Sequence, residues 1–158
     1  MKNLLTTLTA ALCALFCASA QDISLGRLTA DGNRVYVEFI DVRNNIEDDA
    51  KPFIAALKGP EWNRWQVVDD KADADFALRI RVEKKGSGFS ISWGARMFTT
   101  VSILTTDGRE LWRAKLQKGR ASEFTGFNAQ ADAARKVVRR SLGEELQEAI
   151  TAENGKNK

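Results

Sequence analysis

Between Ala74 and Gln117 the chain reads ADFALRIRVEKK, a glycine-rich stretch, then GARMFTTVSILTTDGRELWRAKLQ. This run restricts the fold more than any other. Phe76, Leu78, Ile80 and Val82 are apolar at every second position, while Asp75, Arg79, Arg81 and Glu83 take the other face. A period of two is that of a strand with one face in a core. Asp107-Gly108 then joins two β-rich runs, and both residues tolerate the positive φ of a tight hairpin. The pattern predicts a three-stranded antiparallel meander forming most of one sheet.

The flanks fill out that sheet. Arg34 to Val42 (RVYVEFIDV) is rich in β-branched and aromatic residues and reads as a strand. Ile46, Ala50, Phe53, Ile54 and Leu57 follow helical spacing, closed by Gly59-Pro60. Pro52 fits only in the first turn of that helix, which calls for a cap at Asp48 or Asp49. Trp65 to Asp69 is a second short strand. A strand–helix–strand unit makes a crossover, so the strands at Val35 and Val67 should run parallel.

Gln21 to Asn33 is a mixed lead-in, an edge strand or a loose arm. Asn128 caps a closing helix from Ala129 to about Ala152, with Ala131, Ala134, Val138, Leu142, Leu146, Ala149 and Ile150 on one face. Trp62, Trp65 and Trp112 are assigned to the core or its edge, Trp112 sharing a strand face with Ala114 and Leu116. The expected fold is α+β: two layers, a mixed four- to five-stranded sheet, largely an antiparallel meander, with two helices packed on one face.

The beginning of the chain reads as an export signal. Lys2 is followed by the apolar run Leu4 to Phe16 and by the small residues Ala18-Ser19-Ala20. The expected organisation is a signal peptide over 1–20, a single α+β domain over 21–152 and a disordered tail over 153–158. Lipidation at Cys17 is the rival, but Phe16 stands where a small residue is wanted, so no lipid anchor is expected. The product would be periplasmic or secreted.

Chemistry is limited by what is missing. The chain has no histidine, and its 2 cysteines, Cys13 and Cys17, lie in the leader. Cysteine nucleophiles, Ser-His-Asp triads and zinc sites of the usual kind are therefore excluded. Glu47, Asp48 and Asp49 suit a helix N-terminus better than a cation loop. Asp69, Asp70, Asp73 and Asp75 are better explained by turn formation than as a working carboxylate pair. No catalytic, metal or cofactor-binding residue is assigned, and no cofactor is expected.

A net charge of +3 with both signs interspersed gives no footprint for nucleic acid. Arg135, Lys136, Arg139 and Arg140 read as the solvated face of the last helix. The glycine-flanked stretch 86–94 carries Phe89 and Trp93, either as exposed anchors for a partner or as inward residues of a long hairpin. With Phe124, also read as a staple for the last helix, they are the candidate partner contacts.

Trp65-Gln66-Val67-Val68-Asp69, Ala74-Asp75-Phe76-Ala77-Leu78, and Asp107-Gly108-Arg109-Glu110-Leu111-Trp112 before an Ala-rich helix give a spacing that resembles a group of small bacterial envelope domains. These are the curli-secretion lipoprotein domain, the N-terminal domain of the Tol-Pal translocation protein, and the lipoprotein activators of penicillin-binding proteins. The likeness covers about 65–150 and, more loosely, 35–59. It implies a non-catalytic domain that assembles with envelope proteins or with itself, and it carries no active-site residues. The alternative is a small-ligand carrier or a carboxylate-based hydrolase, which needs a deep pocket with converging acids.

Overall fold

A computed structural model describes residues 23–42, 50–85, 96–120 and 129–156. In chain order the elements are α1 (Leu25–Leu28), β1 (Arg34–Asp41), α2 (Lys51–Lys58), β2 (Gln66–Val68), a 3-10 turn (Lys71–Asp73), β3 (Phe76–Lys85), β4 (Arg96–Leu104), β5 (Glu110–Arg113) and β6 (Gln117–Arg120). The chain closes with α3 (Ala129–Lys136), a π-helical stretch (Val137–Leu146) and α4 (Gln147–Lys156).

The sheet order is β2-β1-β3-β4-β5, with β6 also paired to β4. β1 runs parallel to both β2 and β3, and β4 is antiparallel to β3, β5 and β6. The meander and the parallel pair at Val35 and Val67 thus stand as the sequence implies. The architecture is α+β.

One face of the sheet builds the core. Val35, Phe76, Leu78, Ile80, Val82, Met97, Val101 and Ile103 pack with Phe53 and Leu57 of α2 and with Ala133, Val137, Val138, Leu142 and Leu146 of the closing helix. Burying each large apolar side chain completely is worth about 1.5–3 kcal/mol, so the alternation in β3 fixes its register strongly. Beside this cluster Trp65 meets Trp62 and Phe76 edge-on, with ring centroids 5.0 and 4.9 Å apart. The Trp65 indole N–H donates to the Thr29 carbonyl at 2.9 Å. Both tryptophans are core residues, as expected.

Pro52 lies in the first turn of α2, where its missing N–H leaves no bond broken. Ala50 precedes that helix without a side-chain cap, and Asp48 and Asp49 fall outside the described residues.

Four local features differ from the sequence reading. First, the lead-in contains α1, a single helical turn with Leu25 and Leu28 buried. Such a turn is too short to hold by itself. It is fastened from the far end of the chain: the Glu153 carboxylate accepts from the Leu25 amide at 3.1 Å and the Gly26 amide at 3.3 Å.

Second, residues 153–156, expected within a disordered tail, form the last turn of α4.

Third, the segment Ala114–Leu116 bulges between β5 and β6. Ala114 is buried but Leu116 is 61% exposed, while Gln117 turns inward opposite Thr99. The extra residue flips the side-chain parity. Glu145 holds the bulge by accepting from the Lys115 amide at 2.7 Å and the Gln117 side-chain amide at 2.9 Å. Trp112, opposite Ile103 on the core face, is half-buried at the core edge, as expected.

Fourth, Val137–Leu146 is π-helical. Its wider turn brings Val137, Ser141 and Leu146 inward at spacings of four and five residues.

Candidate functional site

The helices cover one face of the sheet; the register puts alternate residues on the other. Across the middle of that second face Glu38 of β1 stands beside Arg79 of β3 and pairs with it at 2.9 Å. Arg79 stands beside Ser102, and Ser102 beside Arg113, which pairs with Glu110 at 2.8 Å. The Arg113 hydrogen bonds, with smaller help from Ser102 and Arg79, hold the Glu110 carboxyl below the usual carboxylate range against the opposing effect of burial. Exposed pairs of this kind add about 0–1 kcal/mol each, but they leave the middle of the face electrically balanced.

One end of the same face is not balanced. Arg96 of β4 and Arg120 of β6 are direct cross-strand partners, and Phe98 and Lys118 are the next pair on this face. The Lys118 ammonium lies 5.7 Å from the Phe98 ring centroid. Arg81 is opposite Thr100 and exposed. The Lys118 pKa is lowered, first by the Arg96 charge, then by burial, then by the Arg120 charge. Like charges placed opposite each other on a ladder destabilise it, so these residues cost stability where they stand. Ile40 is half-buried and Val42 is 46% exposed beside them, and Glu83, opposite Phe98, is the carboxylate on this part of the face.

The covered side ties this end down. Asp132 of α3 accepts from the Arg120 amide at 2.8 Å and from the Lys136 ammonium at 2.7 Å, and Lys136 also donates to the Lys118 carbonyl at 2.8 Å. Of the basic group on the closing helix, Lys136 is therefore occupied, while Arg135, Arg139 and Arg140 are exposed as expected.

At the opposite end of β5 a cleft of about 510 Å³ opens between the start of α1, the β5 edge and α4. Ile23, Leu111, Trp112 and Ala149 form its apolar wall, with Glu153 and Lys156 as its charged groups. Glu153 is the single carboxylate in that lining and is engaged by the α1 amides. The acids near β2 are likewise structural: Asp70 caps the 3-10 turn through the Ala72 amide at 2.8 Å, and Asp75 takes the Arg34 amide at 2.7 Å and its guanidinium at 3.1 Å. Among the described residues no group of three His, Cys, Asp or Glu side chains is placed to hold a metal ion.

The candidate contact residues Phe89, Trp93 and Phe124 lie outside the described residues, as do Glu47, Asp48 and Asp49. The basic end was not legible in sequence, because its cations come from positions 81, 96, 118 and 120 and meet only through strand pairing.

No family model matches the chain, and no curated protein matches it in sequence. Among solved structures it is similar to a PelC dodecamer from Paraburkholderia phytofirmans, with TM-score 0.47 and 14% identity over 69% of this chain and 88% of that one. A second crystal form of that dodecamer gives 0.46 and 14%, over 68% and 87%. A minor lipoprotein from Acinetobacter baumannii gives 0.46 and 13%, over 70% and 91%. A likeness this distant assigns no family.

Proposed function

We propose that the chain is an exported, non-catalytic envelope protein acting in protein–protein interaction or assembly. On this reading residues 1–20 are removed, Cys17 carries no lipid, and the domain that begins at Gln21 is periplasmic or secreted.

One observation carries the interaction reading. The connections 43–49, 86–95 and 121–128 all start from the same end of the sheet. β1 and β3 finish together there, Lys85 is paired to Arg96, and Arg96 to Arg120. Connections gathered at one end of a rigid sheet are the usual place for recognition residues. Phe89, Trp93 and Phe124 belong to two of them, and we assign the partner contact to these three side chains.

The test is the double variant Phe89→Ala/Trp93→Ala. It should keep its melting temperature and lose self-association or cross-linking to an envelope protein in intact cells. An early melt would place the rings in the core and end the assignment. The N-terminal mass of the protein recovered from the envelope should begin at Gln21; a diacylglyceryl group on Cys17 would overturn that part.

The cleft beside Trp112 favours a second reading, a small-ligand carrier. Its apolar wall and single engaged carboxylate suit binding better than hydrolysis, which requires two facing acids.

A further inference from the structure

We propose that the basic end of the sheet face that no described helix covers is a docking site for an anionic lipid surface, taking the phosphates of several headgroups at once. This rests on the reading of an exported envelope protein and adds the surface to which it is drawn.

The first argument is the crowding itself. Arg96 faces Arg120 across the β4–β6 ladder, Lys118 sits beside them, and Arg81 projects from β3 on the same face. Arg81, Arg96 and Arg120 are exposed. Cross-strand neighbours lie about 4.5–5.5 Å apart at Cβ, so the positive charges repel, and an anion laid over them removes that repulsion. The lowered proton affinity of Lys118 has the same origin.

The second argument is shape. The cations stand on the surface of a sheet, spread over β3, β4 and β6. A single small anion would meet one or two of them in open water, where such contacts are weak. A plane of headgroups meets all of them, each contributing additively near an anionic surface.

The third argument is what lies between the charges. Ile40, Val42 and Phe98 share this end of the face; Val42 is 46% exposed and the other two half-buried. Apolar side chains among cations suit the boundary between headgroups and acyl chains, where a soluble polyanion would gain nothing from them. No described helix is long and apolar enough to cross a membrane, so the contact would be peripheral.

The experiment uses the processed protein purified from the envelope. Co-sedimentation is measured with vesicles of phosphatidylcholine alone and with phosphatidylglycerol mixed in, at low and high salt. Binding should require phosphatidylglycerol and fall with salt. Arg96→Glu/Lys118→Glu should weaken it by about tenfold or more. Arg139→Glu/Arg140→Glu makes the same change in net charge on exposed positions of the closing helix and should leave it within about twofold. Arg96→Gln/Lys118→Gln, a milder change, should give an intermediate loss and guards against misfolding of the reversal.

Equal binding to both vesicle types, or equal loss in the two reversal variants, overturns the proposal. So does saturable binding of soluble inorganic phosphate or polyphosphate at Arg96 and Lys118 without vesicle binding, which would make the ligand a free anion. Retention of the protein in the cytoplasm on cell fractionation would instead defeat the export reading and leave the vesicle result standing.

Discussion

Gly119 offers the sharpest test of how the closing helix is seated. It lies on β6 where α3 crosses, and a methyl group built on its Cα would stand 2.5 Å from the Ala129 carbonyl oxygen, 2.8 Å from the Ala133 Cβ and 3.0 Å from the Ala133 nitrogen. Two of those three atoms are backbone, so no rotamer change relieves the clash, and α3 must move as a unit. Forcing extra volume into a packed contact costs about 1–3 kcal/mol. The movement also stretches the bonds from the Arg120 amide to Asp132 and from Lys136 to the Lys118 carbonyl, adding about 1 kcal/mol.

Gly119→Ala should therefore lose about 2–4 kcal/mol in urea unfolding followed by tryptophan fluorescence, with unchanged slope. Adding Ala133→Gly should not rescue it. That change removes the contact to the Ala133 Cβ but leaves the Ala129 oxygen, and a mid-helix glycine costs about 1 kcal/mol more. Gly155→Ala is the counter-test, since a methyl there meets nothing within 4 Å and α4 should gain up to about 1 kcal/mol. A Gly119→Ala protein within about 0.5 kcal/mol of the parent would refute the close seating of α3 on β6.

Other outcomes follow from single side chains. Thr99 is fully buried with no partner for its hydroxyl, so Thr99→Val should raise stability by about 1 kcal/mol in the same urea assay; a loss would reveal a hydrogen bond. Burial opposes the charge on Asp132, but the Lys136 ammonium, the Arg120 amide and the nearby cations outweigh it and hold its carboxyl below the ordinary range. A carboxyl depressed in the folded state stabilises above its unfolded pKa of about 3.9 and loses that contribution as pH falls below it. The stability gap between parent and Asp132→Asn should therefore be widest near neutrality and shrink below that value; a gap independent of pH would rule the ion pair out. Glu153→Ala should speed hydrogen exchange of the α1 amides by about tenfold or more with the β3 amides unchanged, and equal protection would show that α1 holds without it.

The sheet was legible because its signal is local. Phe76, Leu78, Ile80 and Val82 recur at every second position, broken on the other face by Ala77 alone, and Asp107-Gly108 supplies the turn, with Gly108 at φ +94°. What escaped depends on distant partners. α1 is one turn whose first two amides are satisfied by Glu153, 128 residues from Leu25. The bulge at Ala114–Leu116 is set by Glu145 on the closing helix, so alternation carried through from Trp112 put Leu116 on the wrong side. The π-helical stretch keeps a spacing close enough to α-helical that Val138, Leu142 and Leu146 were found on the buried face, while Ser141 was not. The basic end is of the same kind: Arg96, Lys118 and Arg120 are unremarkable until β4 and β6 are aligned.

The bond between Glu153 and α1 makes the chain almost a ring. Its two described ends leave the molecule side by side, next to the Trp112 cleft. Trp112 stands opposite Ile103, and Ile103 is seven residues along β4 from Arg96, roughly 23 Å at the rise of a strand. A short linker could join the ends without crossing the sheet. The described ends, at Ile23 and Lys156, thus lie at one pole of the sheet, and the cations of Arg96 and Arg120 stand at the other.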